Sequence, residues 1–393
     1  MLLVETLIAL LLLGSAFAFA FPASEANGGG HGGQNAQSVF YQGHDLSSLG
    51  IMEQGGAVYH DTARHNQTRA AEDILGDGGM NTVRLRLWVN PIPGQYDLSY
   101  VLALAERFAK KKYHIYLDFH FSDNWADPHH NIAPAAWPTT LPALSSTLRT
   151  YVRETIMTFK HAGVDLSLVS LGNEIRNGML WPLGQVDVDI TPHAALVSNF
   201  TNLATLYAAA RSGVTDAVNA GAAKPQVLIH IDNGWNVTLQ TTWFNALTAT
   251  GKVKVADWDV FAFSFYPFYG TDATLANLQN SLHTLARHYG KPLHVVETDW
   301  PAICSGSDAP ELSEPSVPIS AKGQTEWVHD VIKVVKGVPG GLGQGFNYWE
   351  PAWLNSTSLG SACQDAILFD TDWSRYPQME AYSRESVDML KGV

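Results

Sequence analysis

Cysteine is scarce in this sequence: Cys304 and Cys363 are the only two in 393 residues, too few for a disulfide framework. In an oxidising compartment they would form one bond; in a reducing one they would remain two thiols. Basic residues are also few, 24 against 37 acidic ones, for a formal net charge of −13. That balance excludes nucleic acid and acidic membrane surfaces as natural partners and suits a neutral polysaccharide. No Gly-x-Ser-x-Gly elbow is present, which argues against a Ser-His-Asp hydrolase. No His-x-x-x-His or open carboxylate triad appears, so no catalytic metal is expected, although Asp127-Pro-His129-His130 is rich in ligand types. No glycine-rich turn follows the first predicted strand, where Gly43-His44-Asp45 leads into Leu-Ser-Ser-Leu, and this weighs against a dinucleotide-binding sheet. No cofactor is called for.

Long apolar runs are likewise rare. The N-terminal one, Leu7-Ile-Ala-Leu-Leu-Leu-Leu13, is followed by Ala18-Phe19-Ala20, a small-x-small cleavage pattern. Residues 1–20 read as a signal peptide, despite an acidic Glu5 and no basic n-region. The stretch from Leu7 to Phe21 is short for a membrane span, the competing reading. Residues 21–36 are rich in Gly, Ala, Ser and Asn and read as a flexible leader. Residues 37–393 then form one catalytic domain. Asn66, Asn199, Asn236 and Asn355 begin Asn-x-Ser/Thr sequons, candidate glycosylation sites if the protein is secreted and extracellular.

From Ser38 onward short apolar runs alternate with amphipathic segments. Strands are expected at about 40–46, 82–89, 113–121, 166–173, 226–232, 259–266, 292–299 and 343–349. Helical patterns cover Leu102–Lys111, Thr147–His161, Leu203–Val218, Leu275–His288 and Gln324–Lys336, and 378–391 is read as a closing helix. Eight strand–helix repeats predict an α/β fold, a (β/α)₈ TIM barrel with elaborated loops, over an open doubly wound sheet.

Polar and aromatic residues gather at the expected C-terminal strand ends, where such barrels build active sites. They include Arg86, Trp88, Asp118, His120, Asn173, His230, Asp232, Tyr266, Trp300 and Trp349. Arg84, Arg86 and Trp88 share one face of their strand, as do Asp118 and His120. An arginine inside a barrel needs a carboxylate on a neighbouring strand; a purely structural ion pair suits Arg84 better than Arg86. Glu174 and Glu297 end strands lying nearly opposite each other. A retaining glycosidase needs a carboxylate nucleophile and a carboxylic acid about 5–5.5 Å apart. Asn173 could then donate to the sugar 2-hydroxyl. A rim salt bridge is the alternative for either glutamate. Trp88, Trp125, Trp137, Trp181, Trp300, Trp349 and Trp353 fall at or beyond strand ends, where ring faces can stack on sugars, whereas Trp243 and Trp327 sit in helical segments and read as core.

Several longer motifs carry a family likeness. Asp77-Gly-Gly-Met-Asn-Thr-Val-Arg84-Leu-Arg86-Leu-Trp88-Val-Asn-Pro91, Leu117-Asp-Phe-His120-Phe-Ser-Asp-Asn-Trp125-Ala-Asp-Pro128, Gly172-Asn-Glu174-Ile, Phe265-Tyr266-Pro-Phe-Tyr269 and Val296-Glu297-Thr-Asp-Trp300-Pro301 resemble glycoside hydrolase family 53, the endo-β-1,4-galactanases. The resemblance spans about 40–390. It implies cleavage of internal β-1,4-galactosidic bonds in pectic galactan and type I arabinogalactan. A monomer with no stable membrane association after signal removal is expected. The resemblance also implies Glu174 as acid/base, Glu297 as nucleophile, Arg86 holding the nucleophile ionised and Tyr266 hydrogen-bonding it. The Cys304/Cys363 pair and the sequons look fungal. A β-mannanase or cellulase with the same two carboxylates, or a silent carbohydrate-binding barrel, are the competing readings.

Overall fold

The computed structural model describes residues 39–393; the expected signal peptide and leader lie outside the described residues. Twelve strands occur among them: β1 Tyr41–Asp45, β2 Ala57–Asp61, β3 Gln67–Thr68, β4 Thr82–Leu87, β5 His114–Phe119, β6 Leu166–Leu171, β7 Gln226–Ile231, β8 Val260–Ser264, β9 Leu293–Glu297, β10 Gly343–Tyr348, β11 Phe369–Asp372 and β12 Met379–Ser383. Eight of them close a barrel in the order β1-β10-β9-β8-β7-β6-β5-β4, every pair parallel. The chain is thus a (β/α)₈ barrel, as the strand–helix alternation predicts. Two helices start earlier than their apolar periodicity suggests, because polar caps precede them. Asp97 accepts from the Tyr100 amide and Ser320 from that of Gly323, so these helices cover Leu98–Lys110 and Ala321–Lys336. The helix Leu275–Tyr289 starts where expected, with Thr274 accepting from the Asn277 amide.

The barrel interior changes character with height. Tyr116, Leu168, Leu228, Val260, Ala262 and Val296 form an apolar plug low in the barrel, with Tyr41 against it. Two residues further along the same strands stand Asp118, Ser170, His230 and Ser264, all buried. Alternation puts each pair on one face, so a polar layer rests on an apolar floor. The larger apolar core lies between the barrel and its helices.

Two expectations fail. The segment 378–391 is not a helix: Met379-Glu-Ala-Tyr-Ser383 forms β12, followed by a 3₁₀ turn over Glu385–Asp388. β12 runs parallel to β2 and joins it to β11 and β3 in a second, four-stranded sheet with the order β11-β12-β2-β3. Pairing with β2 satisfies backbone groups that a helix would have satisfied locally. The second failure is Trp300. It is fully buried, stacks on Trp327 with ring centroids 4.9 Å apart and donates from Nε1 to Pro318 O. It belongs to the core, not to a sugar-binding surface.

Candidate active site

At the C-terminal mouth of the barrel lies a cleft of about 640 Å³. Glu174, Glu297, Asp232, Tyr266 and Trp349 line it, together with Trp125, Asp127, His129, Arg176, Asn233, Ser264, Tyr269 and the Leu359–Gly360 loop. The loops after β5, β6 and β7 supply most of its polar side chains, and Trp125, Trp349 and Tyr269 add aromatic surface.

Backbone irregularities aim both glutamates. Along β9, Phe263 pairs with Val295 but Ser264 pairs with Glu297, leaving Val296 as an extra residue. Such a bulge puts consecutive residues on one face. Val296 joins the apolar plug while Glu297, next in line, also turns inward. At the end of β6, Gly172 takes φ +106°, and a Cβ there would fall 2.6 Å from Ile175 Cγ2. Glu174 itself is left-handed at φ 46°, ψ 50°. The kink swings its side chain, half-buried, over the barrel mouth.

Glu297 is held from three sides. Arg84 Nη2 lies 2.7 Å from Oε1, Tyr266 OH donates to Oε2 at 2.8 Å, and Ser264 Oγ donates to the same oxygen at 3.3 Å. His230 Nε2 lies 2.9 Å from Ser264 Oγ. Because the serine proton points at Glu297, His230 must donate from Nε2 and is neutral. Burial and the nearby Arg84 push its pKa down to about 3.

Arg84 is the hub beneath this carboxylate. Its Nη1 reaches Asp45 at 2.7 Å; its Nη2 reaches Asp118 at 2.7 Å and Asn173 Oδ1 at 2.8 Å. His120 braces Asp118 from Nε2 at 3.2 Å, while its Nδ1 accepts from Trp88 Nε1 and the Ala126 amide. Asn173 Nδ2 donates to Ala126 O at 2.7 Å, which orients its amide beside Glu174.

Arg86 does not contact Glu297, contrary to the expectation. It pairs with Glu350, beyond the end of β10, and its Nη2 donates to Ser48 Oγ at 2.8 Å. Its guanidinium also sits 4.3 Å from the Tyr96 ring centroid and 5.2 Å from those of Trp125 and Trp353. Both arginines face inward, but Glu350 and Ser48 meet only the one nearer the rim. Arg84 lies a layer deeper, between Asp45 and Asp118. Trp88 also lies outside the cleft, on a separate hollow with Gln95, Tyr96 and Trp353.

The two glutamates differ in electrostatics. Burial pushes the Glu174 carboxyl well above the usual range, and the negative charges of Glu297 and Asp232 push it further. Burial also raises Glu297, but Arg84 and Tyr266 pull it back. A shared proton therefore settles on Glu174 and leaves Glu297 ionised. Glu174, His230 and Glu297 each bring a potential ligand atom within 4.8 Å of the others, a spacing that a cation could bridge. The donors are otherwise engaged: Arg84 already supplies positive charge to Glu297, and His230 Nε2 carries the proton given to Ser264.

A disulfide joins Cys304 and Cys363, tying the loop after β9 to the loop after β10. Tyr269 OH donates to Gly360 O at 3.2 Å from the loop after β8, so three loops frame one end of the cleft. Sequence reasoning weighed Asp127 and His129 only as ligand types for a metal, and did not single out Tyr269 or Arg176 as site residues. They lie in loops or, for Arg176, in the 3₁₀ turn Ile175–Asn177, where no periodicity marks which side chains converge. Of the sequons, Asn66 and Asn355 are exposed, whereas Asn199 accepts from the Asp187 amide and Asn236 caps the helix Val237–Ala249.

The fold and this constellation can be set beside known proteins. Residues 41–382 match the family model described as glycosyl hydrolase family 53. The chain is 43% identical over 362 residues to "Probable arabinogalactan endo-beta-1,4-galactanase A" of Aspergillus terreus, covering 91% of this chain and 96% of that one. It is 40% identical over 343 residues to arabinogalactan endo-beta-1,4-galactanase A of Aspergillus niger, covering 86% and 92%. A solved structure of fungal beta-1,4-galactanases superposes with a TM-score of 0.81 at 36% identity, covering 91% of this chain and all of that one. Sequence, barrel and paired carboxylates thus lead to one assignment: the chain belongs to glycosyl hydrolase family 53.

Proposed function

We propose that this protein is a secreted endo-β-1,4-galactanase that cleaves galactan side chains of pectin and type I arabinogalactan with retention of configuration. The observation that carries the mechanism is the asymmetry of the glutamate pair. Two carboxylates have oxygens within 4.8 Å of each other, and only one of them is held by an arginine and a tyrosine. That closeness fits double displacement and leaves little room for the water of an inverting enzyme. The substrate reading rests on the relatives' names and on the cleft's aromatic surface. The disulfide fits an oxidising, extracytoplasmic setting.

In the first step Glu297 attacks the anomeric carbon while Glu174 protonates the leaving oxygen. In the second Glu174, now a base, activates water against the galactosyl–Glu297 ester. The test is digestion of linear β-1,4-galactan followed by NMR from the first turnovers. Newly formed reducing ends should be β and mutarotate later; an initial α anomer would overturn the retaining reading. Glu174→Gln should cut galactan hydrolysis by about 10²–10⁴-fold. An activated aryl galactoside should suffer less in the first step, because its leaving group needs little protonation.

A further inference from the structure

Arg176 and Asp232 line the cleft beside Glu174: they follow the paired strands β6 and β7, and the charge of Asp232 acts on the Glu174 carboxyl. Arg176 Nε and Asp232 Oδ1 approach to 3.4 Å without a sound hydrogen bond between them. Neither atom has any hydrogen-bond partner among the described residues, although both are buried. Asp232 as a whole is 8% exposed. A donor and an acceptor are thus left open side by side. Burying such groups unpaired costs free energy, so the pair is built for something that arrives.

Its geometry suits one kind of group. A hydroxyl oxygen about 2.8 Å from each atom would form the apex of a triangle over the 3.4 Å base. It would accept from Arg176 Nε–H and donate to Asp232 Oδ1. A carbonyl or an ether oxygen could satisfy the arginine but not the carboxylate. The pair is held rigidly from behind by one helix, Val237–Ala249. Gln240 Nε2 donates to the carbonyls of Asp232 and Asn233, at 2.8 and 3.0 Å. Trp243 Nε1 donates to Arg176 O at 2.9 Å. Asn233 Nδ2 holds the other carboxylate oxygen of Asp232 at 3.0 Å, so Oδ1 keeps facing the arginine.

The side of the cleft identifies the sugar. Glu174 protonates the departing oxygen, so the leaving sugar lies next to it. Arg176 follows Glu174 by two residues, and Asp232 directly follows β7, the strand beside β6. We propose that Arg176 and Asp232 form a hydroxyl clamp for the sugar on the leaving-group side of the scissile bond. This rests on the reading of Glu174 as the acid. The same clamp binds the incoming sugar when the galactosyl-enzyme transfers to an acceptor other than water.

The test compares Arg176→Gln and Asp232→Asn with the unmodified enzyme on two substrates, β-1,4-galactan and an aryl β-galactobioside whose leaving group carries no hydroxyl. Added galactobiose then competes with water for the galactosyl-enzyme, and the transfer-to-hydrolysis ratio is read. On galactan kcat/KM should fall about 10–100-fold, the scale of a hydrogen bond to a charged group. The loss on the aryl substrate should be about tenfold smaller, and the transfer ratio should drop. Arg176→Lys keeps the charge but removes the Nε–H; it should behave like Arg176→Gln and serves if the glutamine variant folds poorly. Equal losses on both substrates with an unchanged transfer ratio would overturn the clamp. An unmodified enzyme giving α product and no transfer would strike the retaining reading instead, and the contrast between the two substrates would still judge the clamp.

Discussion

Arg84 and Arg86 are two residues apart on one strand, point to the same side and are both fully buried, yet they serve different ends. Arg84 holds three carboxylates, one of them Glu297, and touches the asparagine that precedes Glu174. Arg86 pairs with Glu350 and packs against the rings of Tyr96, Trp125 and Trp353. One step of the strand separates an arginine that sets the charge of Glu297 from one that braces the rings of Tyr96, Trp125 and Trp353. The difference follows depth in the barrel: the deeper Arg84 reaches Asp45 and Asp118, and Arg86, nearer the rim, reaches Glu350 and Ser48.

The sharpest way to break this contrast is to shorten each arginine to lysine. Lysine keeps the charge but loses the planar fork that reaches several carboxylates at once. Arg84→Lys should lower kcat/KM on galactan by about 10²–10³-fold, the loss typical when one preorganised contact to the reacting charge is removed. Arg86→Lys should weaken binding only about two- to fivefold through its lost ring contacts, and should register mainly as a lower Tm. Steady-state kinetics and thermal melts on both variants decide it. Equal rate losses would mean that the two arginines share one role.

A smaller effect sharpens the same point from the other side of Glu297. Tyr266 donates to Oε2 and lowers the carboxyl's pKa against the rise imposed by burial. Tyr266→Phe removes that pull, so Glu297 should ionise at higher pH. The acid limb of the kcat/KM profile should move upward, with a loss of about tenfold at low pH that shrinks as pH rises. An acid limb that stays in place would assign it to a group other than Glu297.

These assignments mark where sequence reasoning stops. The barrel was legible because its strands are short apolar runs separated by amphipathic helices, and both glutamates were legible as strand-end carboxylates within family motifs. The inward aim of Glu297 was not, since strict alternation from His294 through Val296 sends it outward and only the Val296 bulge reverses that. Trp300 was misread for the same reason: closeness in sequence to Glu297 did not place it on the same face. The choice between Arg84 and Arg86 was hidden because alternation gives them identical orientation, and Glu350 lies 264 residues away from its partner. The accessory sheet escaped notice because β3 is two residues long and β12 depends on pairing with β2 from the other end of the chain.

The finest test of the two-arginine contrast is whether the Arg86–Glu350 charge can be removed altogether. Burial pushes Glu350 up to about 8 from an ordinary 4.5, with Arg86 pulling it down and Asp45 pushing it further up. Between those values the folded protein binds more protons than the unfolded chain. Stability from this group is therefore complete below about 4.5 and is lost as pH rises towards about 8. Arg86→Met alone removes the group that pulls the Glu350 pKa down, so the carboxyl should stay protonated at neutral pH and the cost should be about 1–3 kcal/mol, that of buried hydrogen-bonding groups left unpaired. Arg86→Met with Glu350→Gln removes both ionisable groups, while the amide oxygen can still accept from the Ser48 amide and hydroxyl, as Glu350 does at 3.0 and 2.7 Å. A buried ion pair is often no more stable than its neutral replacement, so the double variant should return to about the unmodified stability. Its Tm should also fall less between pH 5 and pH 8 than that of the unmodified protein, by on the order of 2–4 °C for each kcal/mol of linkage released. Its activity on galactan should stay within about tenfold, since no contact to Glu297 is lost. A double variant as unstable as the single one, or one with an unchanged pH slope, would show that the Arg86 pair is as indispensable as the Arg84 cluster.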